Sequence, residues 1–324
     1  MNNMNKLFLM TTMTGTIITV SANNWISMWM GLELNMLAFI PLVKSKNKSS
    51  SEAAMIYFLT QSMSSMILLF SIISSSTGKE MQLFMSLGCM ALLIKLGSAP
   101  LHMWFPEMMS KMSWNPCIIL MTWQKLAPLM MLNNMSSKTI MYLAIISSAA
   151  VGAIGGMNQT SLRKIMSYSS INHLAWMMAT SKIQYNWMIY WTIYSIMTIM
   201  ICVFFLKYNM FFINNINNLN MSNTEKITYS MSMLSLGGLP PFLGFLPKWM
   251  VIQTLMNDSM LMLVIILIMS SLITLFFYMR SMTYMMIPFS MSINWNFTKP
   301  NTSINMMTLI LNMSLPMILV MNLK

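Results

Sequence analysis

Apolar residues fill the chain in long runs parted by short polar punctuation. The runs fall at about 7–22, 24–43, 52–75, 81–101, 114–133, 138–157, 161–180, 185–206, 227–256, 259–279 and 304–323. Ten of the eleven have the length of one membrane-spanning helix, roughly 20 residues. The ninth is too long for a straight span and is interrupted by Gly237-Gly238-Leu239-Pro240-Pro241. The pattern predicts an all-α, polytopic membrane protein of about 11 transmembrane helices, a single transmembrane domain over 1–324.

Two of the runs carry helix breakers beside a lysine. Lys95 is followed by Leu96-Gly97-Ser98-Ala99-Pro100, and Lys248 is preceded by Pro240-Pro241-Phe242-Leu243-Gly244-Phe245-Leu246-Pro247. Proline removes a backbone donor and glycine admits non-helical angles, so discontinuous spans are expected there, a packing kink being the plainer alternative. In lipid, a break survives where it faces protein or a hydrated cavity. Runs one to ten divide into two sets of five, and each interrupted span comes fourth in its set. Five is odd, so the second set starts from the opposite side. Two inverted five-helix repeats, about 7–133 and 138–281, plus a C-terminal helix at about 304–323, are the expected architecture.

Composition sharpens this picture. Of 324 residues, 56% are hydrophobic and 7% charged, against about 25% charged in soluble domains. A water-soluble enzyme is excluded. Cys89, Cys117 and Cys202 lie apart inside apolar runs without the spacing of a metal or iron–sulfur site, and only two histidines are present,. No redox centre is expected in this chain. The 48 methionines are scattered through every span, as flexible apolar filler rather than a copper cluster. The first run, with Lys6 before it and Val20-Ser21-Ala22 at its end, has the outline of a signal peptide. It lacks a strongly basic start, and another span follows at once.

Charge placement gives an orientation. Lys6, Lys44, Lys46, Lys48, Lys111, Arg163, Lys164, Lys207, Lys226, Arg280 and Lys299 fall on one side, and Lys79, Lys138, Lys182 and Lys324 on the other. Basic loops favour the inner side, which places the N-terminus there. They face an anionic inner leaflet, so the net charge of +12 needs no nucleic acid.

Three lysines remain inside spans: Lys95, Lys125 and Lys248. Glu33 lies at the centre of the second run, while Glu52, Glu80, Glu107, Glu225 and Asp258 fall at span ends or in connections. An ionisable group in mid-membrane costs at least about 2.5–3.5 kcal/mol, which makes it a functional candidate. A static pair of Glu33 with one lysine is the plain alternative and leaves two lysines over. In general a buried lysine releases its proton more readily than one in water, and a nearby carboxylate restores the hold. A lysine whose carboxylate can approach or withdraw is therefore suited to moving protons. Thr60, Gln61, Ser62, Ser64, Ser65 and Gln124 add polar groups, as do Ser167, Ser169, Ser170 and Asn172, most of them in keeping with close helix packing. His173 sits within a span as a proton relay or a hydrogen-bond donor to a neighbouring helix. His102 lies near Glu107 and Lys111, which fit a surface pair at i, i+4.

Several stretches resemble a known family. They are Trp29-Met30-Gly31-Leu32-Glu33-Leu34-Asn35, Ala99-Pro100-Leu101-His102-Met103-Trp104-Phe105-Pro106-Glu107 and Thr122-Trp123-Gln124-Lys125-Leu126-Ala127-Pro128. Further along come Gly155-Gly156-Met157-Asn158-Gln159-Thr160-Ser161-Leu162-Arg163-Lys164, Ser169-Ser170-Ile171-Asn172-His173-Leu174 and Leu236-Gly237-Gly238-Leu239-Pro240-Pro241-Phe242 through Lys248-Trp249. In this order, over about residues 25–280, they resemble the antiporter-like subunit 2 family of mitochondrial NADH–ubiquinone oxidoreductase, respiratory complex I. The resemblance implies a multi-pass, proton-pumping subunit of the mitochondrial inner membrane with its N-terminus on the matrix side. It matches Glu33, Lys95, Lys125 and Lys248 to the family's proton-translocating positions. It also implies other complex I membrane-arm subunits as partners, with bilayer lipid and cardiolipin around them. FMN, iron–sulfur clusters, NADH and ubiquinone belong to the complex as a whole. A stand-alone cation/proton antiporter and a purely structural membrane subunit are the rival readings.

Overall fold

The computed structural model describes residues 3–45, 47–76, 81–135, 137–181, 184–217, 221–286 and 302–316. Lys46, Lys79, Glu80, Lys182, Lys299, Lys324 and the end of the last apolar run, 317–323, lie outside the described residues. Regular structure among the described residues is helical, apart from one isolated antiparallel bridge between Ser161 and Phe212. Among the described residues five helices are long and apolar enough to cross a membrane: Trp25–Val43, Lys48–Ser75, Thr139–Met157, Asn186–Lys207 and Leu261–Met286.

The chain divides into two compact units, Met1–Ser148 with Ser181–Gln184, and Ala149–Thr180 with Tyr185–Lys324. The first contains α1 (Asn3–Ser21), α2 (Trp25–Val43), α3 (Lys48–Ser76), α4 (Met81–Leu96), α5 (Trp104–Lys111), α6 (Trp114–Met121) and α7 (Leu126–Asn133). It also holds the first half of α8 (Lys138–Met157). Helix α1 lies against α2 at Gly15, where an added Cβ would stand 2.9 Å from the Asn35 nitrogen and 3.0 Å from the Gly31 carbonyl oxygen. Only a residue without a side chain lets two backbones approach so closely. Helix α3 packs on α2, α4 and α5, and α4 also packs on α7.

The second unit contains the rest of α8 with α9 (Leu162–Ala179), α10 (Gln184–Lys207) and the short α11 (Asn214–Asn217). The chain continues through α12 (Asn223–Gly237), α13 (Phe245–Asn257), α14 (Leu261–Met286) and α15 (Thr302–Asn312). Here Gly152 of α8 approaches α9: a Cβ would meet the Asn172 nitrogen at 2.7 Å and the Tyr168 oxygen at 2.9 Å. The spacing from glycine to asparagine is the same as in the first unit. Helix α14 packs on α9, α12 and α13, and α15 packs on α12.

Both expected interruptions occur, and both end in the same way. Helix α4 stops at Leu96, with Gly97 at φ +70°, and α12 stops at Gly237, with Gly238 at φ +75°. The left-handed glycine lets the chain turn back and satisfy carbonyls that the helix end leaves open. Gly97 donates to Ile94 and Ser98 to Leu93, while Gly238 donates to Ser235 and Leu239 to Leu234. A new helix starts seven residues after each glycine, at Trp104 and at Phe245.

A third interruption, in the fifth run, departs from the sequence expectation of one straight span. Helix α6 ends at Met121, a 3-10 turn covers Trp123–Lys125, and α7 begins at Leu126. Pro128 supplies the reason. It has no N–H for the Gln124 carbonyl four residues back, and its ring crowds that carbonyl. The turn tightens instead, with Leu126 donating to Trp123. The Thr122 hydroxyl folds back onto the Ile118 carbonyl at 2.7 Å.

Candidate proton-handling site

All three lysines of the apolar runs are buried, and each sits at a helix break. Lys95 occupies the last turn of α4, Lys125 the 3-10 turn between α6 and α7, and Lys248 the first turn of α13. The end of α12 leaves the Gly237 carbonyl within reach of the Lys248 ammonium, and cations are favoured at helix C-termini.

In the first unit the Lys95 Nζ lies 3.8 Å from Glu33 Oε1 of α2. The carboxylate oxygen is buried without a hydrogen bond, so the pair is an ionic contact slightly too long to be a hydrogen-bonded one. The α4 terminus behind it is closed by side chains from other elements. Gln61 Nε2 donates to the Lys95 carbonyl at 3.3 Å, and the Trp104 indole donates to the Ile94 carbonyl at 3.1 Å. Gln61 therefore caps a helix as well as adding polarity.

Lys125, only 2% exposed, holds its Nζ 5.7 Å from the centre of the Phe105 ring, within cation–π range. Its neighbour Gln124 donates from Nε2 to Asn35 Oδ1 of α2 at 2.8 Å. The Tyr57 hydroxyl of α3 reaches the Gln124 Oε1 at 3.5 Å. Between these groups is a cavity of about 20 Å³, lined by Asn35, Tyr57, Gln61, Lys95, Gln124 and Lys125 among apolar residues. A water needs roughly 10–15 Å³ and two to four polar partners, so the cavity has the size and lining for about one water between the two lysines.

In the second unit the Lys248 ammonium donates to the Gly237 carbonyl at 2.8 Å and lies 5.7 Å from the Trp176 ring centre. Trp176 is on α9, one turn beyond His173. The His173 Nδ1 lies 2.9 Å from the Tyr190 hydroxyl of α10, and its ring packs 5.0 Å from that of Tyr194. The expected hydrogen bond to a neighbouring helix is present.

The serines and threonines of the apolar runs turn mostly inward on their own helices. Thr60, Ser62, Ser64, Ser65, Ser167, Ser169 and Ser170 donate to carbonyls three or four residues back. Of Thr60, Gln61, Ser62, Ser64 and Ser65, Gln61 lines the cavity. Asn35, Tyr57 and Phe105 are site residues that the sequence reading did not single out. Asn35 and Phe105 stood within the stretches that carry the resemblance, without a role of their own, and Tyr57 fell inside the third apolar run.

Outside these groups, Lys111 bridges Glu107 and Glu52, both at 3.2 Å. Hydrogen bonds to the two carboxylates hold its ammonium above the usual lysine range. The expected i, i+4 pair is there, with a second acid from α3. His102 places Nδ1 3.1 Å from the Pro100 carbonyl. Glu225 lies in the first turn of α12, at a span end as expected, and is buried there. Its side chain is 1% exposed and lies 2.8 Å from Lys207. It closes a capping box with Ser222 at the start of α12,. Among the described residues no three His, Cys, Asp or Glu side chains converge as metal ligands.

The model of the NADH:quinone oxidoreductase/Mrp antiporter transmembrane family matches residues 22–274, a stretch that includes Glu33, Lys95, Lys125, His173 and Lys248. The chain belongs to this family. A relative named NADH-ubiquinone oxidoreductase chain 2 from Anopheles gambiae is 45% identical over 286 residues, 85% of this chain and 84% of its own length. A chain 2 relative from Aedes aegypti is 42% identical over 320 residues, 96% of this chain and 94% of its own. A chain of respiratory complex I from Thermus thermophilus has the same fold, with a TM-score of 0.83 at 18% identity, over 95% of this chain and 76% of that one.

Proposed function

We propose that this antiporter-like chain translocates protons across the mitochondrial inner membrane as a core membrane subunit of NADH:ubiquinone oxidoreductase. The observation that carries the reading is the common placement of Lys95, Lys125 and Lys248. Each is buried at a helix break, and the first two line one polar cavity beside Glu33. Its partners are the other complex I membrane-arm subunits, with cardiolipin among the surrounding lipids. NADH, FMN, iron–sulfur clusters and ubiquinone belong to those other subunits, and this chain carries no redox centre.

The topology of the proposal is one membrane domain of eleven spans, ten of them in two inverted five-helix sets, with the N-terminus in the matrix. Two repeated details support it. Gly15 and Asn35 in the first unit have the spacing and close approach of Gly152 and Asn172 in the second. Gly97 and Gly238 close the fourth helix of each set with the same bonds. The frame is repeated and the charges are not. Leu236 stands where Lys95 would be, and Glu107 stands where Lys248 would be, counted from the two glycines.

Electron transfer elsewhere in the complex moves charge at one end of the chain and shifts the Glu33–Lys95 pair. Separating that pair changes how firmly Lys95, and then Lys125, holds its proton. Protons enter from the matrix, pass along the buried polar groups with His173 as a relay, and leave near Lys248. Pumping by a stand-alone antiporter would need no partner, and a scaffold would tolerate neutral residues at all four charged positions.

Native electrophoresis of solubilised inner membranes, with in-gel NADH dehydrogenase staining and peptide mass spectrometry, separates these readings. The chain is expected in the NADH-active band. Migration alone or as a small oligomer, with Na⁺/H⁺ exchange in liposomes, would overturn the proposal.

A further inference from the structure

Helix α2 carries two polar contacts of different kinds. Glu33 faces Lys95 of α4, and two residues on, Asn35 accepts a hydrogen bond from Gln124, the residue before Lys125. Gln124 stands in the 3-10 turn that Pro128 forces, where the backbone lacks the regular ladder that would otherwise fix the Lys125 side chain,. The turn is held from outside instead, by Asn35 at 2.8 Å and by the Tyr57 hydroxyl at 3.5 Å.

The second unit shows what this contact is when no lysine is next to it. Asn172 of α9, at the position matching Asn35, donates to the Ser270 carbonyl at 3.4 Å and accepts from the Ser270 hydroxyl at 3.3 Å. Ser270 lies inside the unbroken helix α14, and the residue after it is Ser271. In both units, then, the second helix is strapped to the fifth by an asparagine. In the first unit alone the strap lands on a broken turn with an ammonium beside it.

We propose that Asn35 is a positioning residue for Lys125, acting through Gln124, so that α2 ties the Glu33–Lys95 pair to the turn that carries the next lysine. A displacement of α2 that alters one contact alters the other. The titratable groups facing this turn are Lys95 of α4, with Glu33 of α2 beside it, and Tyr57 of α3; α5 faces it with the Phe105 ring. This inference rests on the proton-carrying role of Lys125 proposed above.

The test is a double-mutant cycle in the assembled complex, with proton pumping followed against pH in sealed membrane vesicles. The variants are Asn35→Leu, Gln124→Met and the two together, and NADH oxidation by an artificial electron acceptor is the control for assembly. Each single change is expected to move the pH midpoint of pumping by about half a unit or more, a threefold change in proton occupancy. The double variant is expected to match either single one, because both remove one contact. An unmoved midpoint in both singles, or shifts that add in the double, would overturn the inference. If Asn35→Leu does not assemble, Gln124→Met keeps the length of the side chain and carries the test by its own midpoint. Normal pumping by Lys125→Met would instead sink the reading underneath; a defective Lys125→Met with unmoved midpoints in the cycle would sink this inference alone.

Discussion

At the scale of single residues, neighbouring glycines make contrasting predictions. A Cβ at Gly238 would stand 2.8 Å from the Cδ and Nζ of Lys248, at a backbone φ of +75°. A left-handed alanine costs about 1–2 kcal/mol, and the side chain would also push Lys248 off the Gly237 carbonyl. A Cβ at Gly237 meets only the Leu275 side chain, at 3.4 Å. Gly238→Ala is therefore expected to lower both thermal stability and pumping, and Gly237→Ala neither by much. Equal effects would mean that the Lys248 contact is incidental. Glu225 gives a pH prediction. Burial alone would raise its carboxyl, but hydrogen bonds from Lys207, Tyr208 and the Ser222 backbone outweigh burial and hold it at about 2. Because this lies below the value in an unfolded chain, the stabilisation is present above about pH 4.5 and is lost as the pH falls towards 2. Glu225→Gln should cost on the order of 2–3 kcal/mol at neutral pH and little near pH 2, read from melting of the isolated complex. A deficit that does not shrink on acidification would contradict that account. The burial of Glu225 was not legible locally. The lysine that neutralises the acid comes from α10, on the far side of a connection.

At the scale of helices, what the sequence announced were the breaks with dense punctuation. Gly97 with Pro100, and Gly238 with Pro240 and Pro241, interrupt their runs openly. The break at Lys125 was hidden because Pro116 and Pro128 are the prolines of an otherwise continuous apolar run, and Pro128 acts on a carbonyl four residues earlier. Restoring that hydrogen bond is a direct test. Pro128→Ala is expected to let α6 and α7 join and to raise thermal stability by up to about 3 kcal/mol, the usual cost of an interior proline. Pumping should fall, because Lys125 would then project from a regular helix. Unchanged pumping in a stabilised variant would mean that the broken turn has no part in the chemistry. The pairing of Glu33 with Lys95 was also beyond local reading. Run lengths place each charge in a span, but which lysine meets the acid depends on how the helices carrying Glu33 and Lys95 pack.

At the scale of the whole chain, each unit has a glycine–asparagine crossing and a helix closed by a left-handed glycine, while Lys95 and Lys248 have no lysine at the matching position. The proposed two-set frame rests on run lengths and parity, which follow from hydrophobic periodicity. The glycine–asparagine crossings and the asparagine straps emerge only when α1 meets α2 and α8 meets α9. Lys125 is where frame and charge meet most closely, buried at a break, beside the strap and on the cavity. The measurement that bears most directly on the account is the ratio of protons pumped to NADH oxidised by an assembled complex carrying Lys125→Met. A group placed for proton transfer contributes about 10²–10⁴-fold to such a step, so coupled pumping is expected to drop by at least roughly tenfold while NADH oxidation by an artificial acceptor is unchanged. A wild-type ratio at wild-type turnover would contradict the account.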